Sequence, residues 1–322
     1  MLCALNRLLR IGQQPIWFNV KYSVKKAGGT MERQRNTIIT GSGSYIPTRR
    51  ILNEDFIHHV FYEQNGTRLA RPAAETIEKF EKITGIRERR YAAEGLTASD
   101  MGFFAANEAL ISSMTEPESL DYIIFAHNFG DVQAPNRKGE FIPALSSRVK
   151  QSLNIRNVSS VALDLPFGCA GWLQGVIFAD QLIQLGKANK IMVIGAETLS
   201  RVCAPHDRDS MIYADGGGAM ILEAAESEKR AGILASIARS YNEDLTYVLK
   251  MDKSSNPDFA DDGLFLKMNG RKLYENMLKK MPSLIEEVLN TAGIGVADLD
   301  KILIHQANEK MDEAILKQVF NA

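Results

Sequence analysis

The chain has 322 residues, 45% of them hydrophobic, with 38 lysines and arginines against 39 aspartates and glutamates and a formal net charge of -1. That is enough apolar material for one large domain or two fused ones, and the near-neutral balance leaves no electrostatic footprint for nucleic acid or a membrane surface. No apolar run approaches the roughly 18 residues of a membrane span. The three cysteines, Cys3, Cys169 and Cys203, are far apart and form no C-x-x-C pair, which excludes a disulfide framework and a structural zinc site and suits a reducing, cytoplasmic compartment.

The first thirty residues contain no Asp or Glu and carry Arg7, Arg10, Lys21, Lys25 and Lys26. Such a basic, acid-free leader is the composition of an organelle transit peptide. A start codon placed too early, with Met31 as the true beginning, is the simpler of the two readings. Either way residues 1–30 stand outside the fold. From Thr37 onward, short apolar runs alternate with amphipathic helices. Strands are expected at 37–41, 121–126, 158–165, 190–196, 218–223 and 300–304, and helices at 73–83, 99–113, 141–152, 170–186, 270–291 and 309–320. This alternation predicts an α/β architecture of sheets covered by helices.

Two stretches echo each other. "SLDYIIFAHN" (119–128) and "DLDKILIHQAN" (298–308) share Leu-Asp, an apolar strand and a polar turn, each after a long helix and a short loop. This predicts a duplicated unit, with one half at 31–224 and a second at 225–322. After Asp121 the first half runs on for 102 positions to Glu223, whereas 22 remain after Asp300. By that ruler the second half is about 80 residues short.

The segment "DLPFGCAGWLQG" (164–175) holds the chemistry. The strand 158–165 ends at Pro166, and helix 170–186 begins directly after Cys169, with Leu173, Val176, Ile177, Leu182, Ile183 and Leu185 at helical spacing and Gly186 suited to the C-terminal cap. A cysteine at a helix N-terminus faces unpaired N–H groups and the positive end of the dipole, so a depressed thiol pKa is expected. Gly168 and Gly171 strip side chains from around the sulfur. A small buried hydrophobe is the commoner fate of a free cysteine, but the bend and its glycines favour a nucleophile. His305 follows the run "KILI" at a predicted strand end, where α/β proteins place catalytic groups. Asn308 either orients that histidine or caps helix 309–320. "DGGGA" (215–219) permits close backbone approach or positive φ at Gly216 and Gly217, with a tight turn at a strand start as the plainer alternative. "GSGS" (41–44) lacks the Walker lysine and receives no role. Cys203, His58, His59, His127 and His206 show no ligand spacing.

With these features in place the sequence resembles the β-ketoacyl-ACP synthase III family of thiolase-superfamily condensing enzymes, from about Thr37 to the end. The resemblance rests on "GSGSYIP", "TGIRERRYA" (84–92), "GCAGW", "VIGAETLSR", the "DR" before the glycine-rich turn and "IHQAN". It implies a thiolase-like αβαβα layered fold of two duplicated halves, the second cut short here, and an acyltransferase active as a homodimer. It also implies a decarboxylating condensation that starts fatty acid synthesis: Cys169 takes an acyl group from a thioester, and a malonyl thioester on acyl carrier protein then loses CO2 and attacks it. No metal or bound cofactor is implied, because substrates ride on the phosphopantetheine of ACP or CoA. His305 matches the family histidine that polarises the malonyl carbonyl. The family's catalytic asparagine and the glycine-rich turn completing the oxyanion hole fall beyond Ala322, so a chain of this length is expected to fall short in condensation. Arg208 matches a nucleotide-contacting arginine, and Lys310 a basic residue that docks the carrier protein. Lys79 and Ile83 replace a tryptophan and an arginine that grip CoA in relatives, which points to an acyl-ACP or longer acyl donor. Polar loops at 63–75 and 129–143 look inserted. A polyketide or aryl-lipid ketosynthase, a cysteine acyltransferase or thioesterase, and a non-catalytic partner subunit are the competing readings, the last disfavoured by Cys169.

Overall fold

The computed structural model describes residues 34–134 and 137–320. The expected leader over 1–30 and Cys3 lie outside the described residues. The chain order opens with β1 (Gln34–Tyr45), β2 (Arg49–Leu52), α1 (Ala73–Thr84), β3 (Glu88–Tyr91), α2 (Ala98–Ser113), β4 (Tyr122–His127), β5 (Asp131–Val132) and β6 (Gly139–Glu140). It continues with α3 (Leu145–Ser152), β7 (Val161–Pro166), α4 (Gly171–Gln184), β8 (Lys190–Thr198), β9 (Asp215–Ser227), β10 (Leu249–Asp252), β11 (Phe265–Met268), α5 (Gly270–Ala292) and α6 (Glu309–Phe320).

Five strands form one mixed sheet in the order β1-β9-β8-β4-β7, with β4 parallel to both β7 and β8 and with β9 antiparallel to β8 and β1. Strand alternation divides the core between the two faces. Ile123, Phe125, Met192 and Ile194 pack with Met101, Ala105 and Ala109 of α2 and with Leu145 and Val149 of α3. Ile124, Ile191 and Val193 point the other way, onto Val176, Ala179 and Ile183 of α4. Near-continuous apolar runs in β4 and β8 are what a strand covered on both faces requires. Helix α2 starts at a capping box: Asp100 accepts from the Thr97 backbone N–H at 2.8 Å, while Thr97 Oγ1 accepts from Asp100 N–H at 3.4 Å.

The "GSGS" stretch, given no role from sequence, lies inside β1 and lets α2 sit directly on the strand. A Cβ at Gly43 would meet the Ala105 carbonyl oxygen at 2.2 Å and the Ala109 nitrogen at 2.5 Å, both backbone atoms that cannot give way. "TGIRERRYA" also has a packing role. The buried Arg89 guanidinium donates to the Met211 and Ile51 carbonyls and to Asn53 Oδ1, and lies over the Phe56 ring, fixing the small β2–β3 layer that carries α1.

Beyond β9, β10 and β11 pair with each other, β11 is tied to the first half by a bond from Leu266 N–H to the Val202 carbonyl, and α6 packs on α5 and α1. The strand expected at 300–304 is not formed: residues 301–306 are irregular and Leu303 is 88% exposed. The cause is visible in its counterpart. Asp121, just before β4, accepts from the N–H groups of Asn189 and Lys190 and so clamps the start of β8 alongside. Asp300 has no such neighbouring strand among the described residues, and an apolar run without a backbone partner stays open. The two stretches share local geometry up to that point. Both α2 and α5 end on a left-handed residue, Met114 and Gly293, and each leads through a short 3-10 turn, Pro117–Ser119 and Val296–Asp298.

Candidate active site

The site is built where β4, β7 and β8 end. β7 closes at Pro166, Gly168 takes φ +71°, and its carbonyl accepts from Gly171 N–H at 2.9 Å, so the chain turns through Cys169 into α4. A side chain at position 168 would be strained by that φ alone. Cys169 stands just before the N-cap, Ala170, and is exposed. The bend is held from the side by Asn128, whose Oδ1 accepts from Gly168 N–H at 2.6 Å.

The expectation of a depressed thiol pKa is not met. Desolvation of the sulfur by the surrounding protein pushes the Cys169 thiol up, and the Glu197 carboxylate adds to it, while the residue's own N–H pulls the other way. Although the residue as a whole presents to solvent, the balance of these effects is upward.

Glu197, in β8, sits with its carboxyl in the protein interior. Burial pushes it up to about 7, against bonds from Asn128 and Phe129 and the influence of His127. Its Oε1 accepts from the Asn128 backbone N–H, and its Oε2 is buried with no partner among the described residues. His127, set aside in the sequence analysis, lies directly beneath the bend. Its Nδ1 accepts from Gly130 N–H at 3.1 Å, so the ring proton is on Nε2, which donates to Asp164 Oδ2 at 3.0 Å. Both ring nitrogens are engaged, and His127 supports the site without serving as a base. Neither Glu197 nor His127 was legible as a site residue: 128 and 197, or 127 and 164, meet only across the sheet.

The remaining sequence candidates fall in two groups. Gly216 and Gly217 lie inside β9, Gly216 opposite Glu197 and Gly217 opposite Ala196, and neither has positive φ. The close approach foreseen for them holds at Gly217 and is to α2, since a Cβ there would meet the Met101 carbonyl oxygen at 2.8 Å, whereas one at Gly216 would meet the Tyr45 carbonyl oxygen at 3.4 Å. His305, Asn308 and Lys310 make their contacts elsewhere, none of them to this cluster among the described residues. His305 is exposed in the irregular segment and is felt by Asp312 of α6, and no hydrogen bond or charge interaction joins it to Cys169 among the described residues. Asn308 proves to be the helix cap, its Oδ1 accepting from Met311 N–H at 2.9 Å. Lys310 is an exposed partner of Glu313 at 3.6 Å, a pair of little energetic weight. Arg208 is a half-exposed partner of Glu63 at 3.4 Å. Lys79 and Ile83 are both exposed on α1. Among the described residues no group of three His, Cys, Asp or Glu could hold a metal ion, and no helix is long and apolar enough to cross a membrane.

Comparison with known proteins places this arrangement. A family model for 3-oxoacyl-[acyl-carrier-protein (ACP)] synthase III matches residues 163–242, the span from β7 through the bend and past β9. The beta-ketoacyl-[acyl-carrier-protein] synthase III of Erythrobacter litoralis is 31% identical over 285 residues, covering 87% of this chain and 80% of that protein. The crystal structure of 3-oxoacyl-[acyl-carrier-protein] synthase III from Aquifex aeolicus superposes with a TM-score of 0.70 at 28% identity, over 88% of this chain and 81% of the other. The priming beta-ketosynthase of the R1128 polyketide pathway shares the fold alone, with a TM-score of 0.73 at 23% identity over 91% of this chain and 81% of that one. With an exposed cysteine at the strand-to-helix bend of a thiolase-like sheet, and likeness to these synthases along most of its length, the chain belongs to the β-ketoacyl-ACP synthase III family.

Proposed function

We infer that the protein catalyses the decarboxylating condensation of an acyl thioester with a malonyl thioester on acyl carrier protein, opening fatty acid synthesis, with the acyl group carried on Cys169. The observation that carries this reading is the exposed thiol on its glycine bend at the start of α4, in a member of this family. The Sγ–H loses its proton and attacks the thioester carbonyl, and the donor thiol leaves with that proton. The malonyl group then releases CO2, and its carbanion displaces the Cys169 sulfur to give the β-ketoacyl product. His305 takes the part of polarising the malonyl carbonyl, Arg208 meets the donor's phosphates, and Lys310 with the cap residue Asn308 belongs to the carrier-protein face. The reading calls for no resident metal or cofactor and for a cytoplasmic setting, where the thiol stays reduced.

The reading is tested by CO2 release from malonyl-ACP in the presence of acyl-ACP or the matching acyl-CoA. In a protein that carries the family's catalytic asparagine, release dependent on the acyl donor is expected, with acyl-ACP the better donor, because Lys79 cannot stack on adenine as an indole would and Ile83 cannot pair with phosphate. Acyl uptake with no malonyl-dependent CO2 would instead mark a cysteine acyltransferase or thioesterase, and a clear preference for acyl-CoA would overturn the donor assignment.

The same reading makes the protein a homodimer. Strand β7 is an open edge of the sheet, and Val161, Phe167, Leu173 and Phe178 around it are 44%, 50%, 54% and 45% exposed. An apolar edge of this kind invites pairing with a second copy. Light scattering at micromolar concentration is expected to give a dimer, and a monodisperse monomer would refute it.

A further inference from the structure

The catalytic cycle leaves one feature unused: a carboxyl placed inside the protein beside the nucleophile, one oxygen bonded to the Asn128 N–H and the other buried without a close hydrogen-bond partner among the described residues. Buried oxygens without donors are uncommon because each loses its hydration with nothing in exchange. Glu197 Oε1 accepts from the Asn128 N–H, and the Asn128 side chain in turn accepts from Gly168 N–H, one residue before the thiol. Two links therefore join the carboxyl to the bend. Its negative charge also acts directly on Cys169.

We propose that Glu197 is a positioning residue of this site: through Asn128 it fixes the backbone on which Cys169 stands, and its carboxyl charge governs the pH range over which the thiol reacts. The groups that face it are His127 and Asn128 from the end of β4, the Phe129 N–H beyond them, and Cys169 from the bend. On the side of β9 it is opposed by Gly216, which brings no charge. Behind His127 stands Asp164, to which the imidazole Nε2–H is committed. The Tyr213 phenol also feels the sulfur, but burial pushes its pKa far up and it stays neutral over the working range, so the carboxyl is the neighbour that changes charge near the thiol, and its charge disfavours the thiolate when ionised. Below its own titration, near pH 7, that opposition lapses; above it, Cys169 works against a fixed negative charge. In the acyl-enzyme the sulfur is neutral and the conflict is absent, so the same charge favours the acylated over the free thiolate state.

The proposal rests on Cys169 as the acylation site, and the test separates the two. Rates of iodoacetamide labelling are read peptide by peptide from about pH 5.5 to about 10.5, a range that reaches the raised thiol ionisation, in the full chain and in Glu197→Gln, which keeps an oxygen acceptor for the Asn128 N–H but carries no charge. Wild-type Cys169 is expected to show two inflections, one near 7 from the carboxyl and one from its own ionisation. The Gln variant should show a single inflection and label about threefold or more faster at pH 8, while the two proteins converge at pH 5.5. The wild-type profile reads the effect even if the variant folds poorly. Superimposable profiles, or a wild-type curve with one inflection, would overturn the role of Glu197 while leaving the nucleophile in place. A Cys169 no faster than the half-buried Cys203 at any pH would remove both.

Discussion

Replacing Cys169 with alanine is expected to abolish formation of the acyl-enzyme and to lower condensation by at least about 1000-fold, with no loss of fold. The fold should survive because the side chain is exposed and leaves no cavity when shortened. The bend does not depend on it either: its shape comes from Gly168 at φ +71° and from the Asn128 bond to Gly168 N–H. No other described thiol can take over. Cys203 is shielded, its Sγ–H donates to the Leu199 carbonyl at 2.9 Å, and burial with the charges of Asp215 and Asp207 holds its thiol well above the ordinary value. Intact mass after incubation with an acyl thioester should therefore show one added acyl group in the wild type and none in Cys169→Ala. An adduct that persists in the variant would place the acylation elsewhere.

That prediction draws on the part of the molecule most legible in the sequence. Helix boundaries fell within a few residues of expectation where local chemistry sets them. Examples are the Thr97–Asp100 box before α2, the left-handed Gly186 and Gly293 after α4 and α5, and Asn308 ahead of α6. β4 and β8 were readable because strands covered on both faces need continuous apolar runs. What local sequence could not supply was the neighbour. "KILI" carries the composition of a strand, yet 301–306 is irregular because no described backbone lies beside it. "GSGS" received no role and "DGGGA" stood open between close backbone approach and a turn; Gly43 and Gly217 are small because α2 lies against them. The thiol pKa was misjudged for the same reason. The helix end is local and visible, whereas the packing that desolvates the sulfur is not, nor is Glu197, which adds to it from a strand 28 positions away.

Asp164 carries the largest expected effect on stability. One carboxylate at the end of β7 accepts from His127 Nε2–H at 3.0 Å, Leu145 N–H at 2.7 Å and Ser146 N–H at 2.8 Å. It therefore closes the first turn of α3 and locks the imidazole beneath the bend at once, and α3 has no cap bond from its N-cap residue, Ala144. Burial alone would raise the Asp164 pKa, but the bonds from His127 and the two backbone N–H groups outweigh it and hold the carboxyl below its ordinary value. Asp164→Ala orphans three donors in a largely enclosed site and should destabilise the protein by about 3 kcal/mol at pH 7. Asp164→Asn keeps one acceptor oxygen and should cost less. Because the folded-state pKa is depressed, the carboxylate's contribution is fully present above the unfolded value near ~4 and is lost as pH falls through the folded one. The gap between wild type and Asp164→Ala in denaturant midpoint should accordingly be widest at neutral pH and narrow below about pH 4. A gap that stayed constant down to pH 3 would mean that the charge contributes nothing and that shape alone holds α3. A loss of Cys169 labelling in Asp164→Asn without loss of stability would instead show that the His127 ring orientation, transmitted through β4 to Asn128, matters more to the bend than the carboxylate does to the fold.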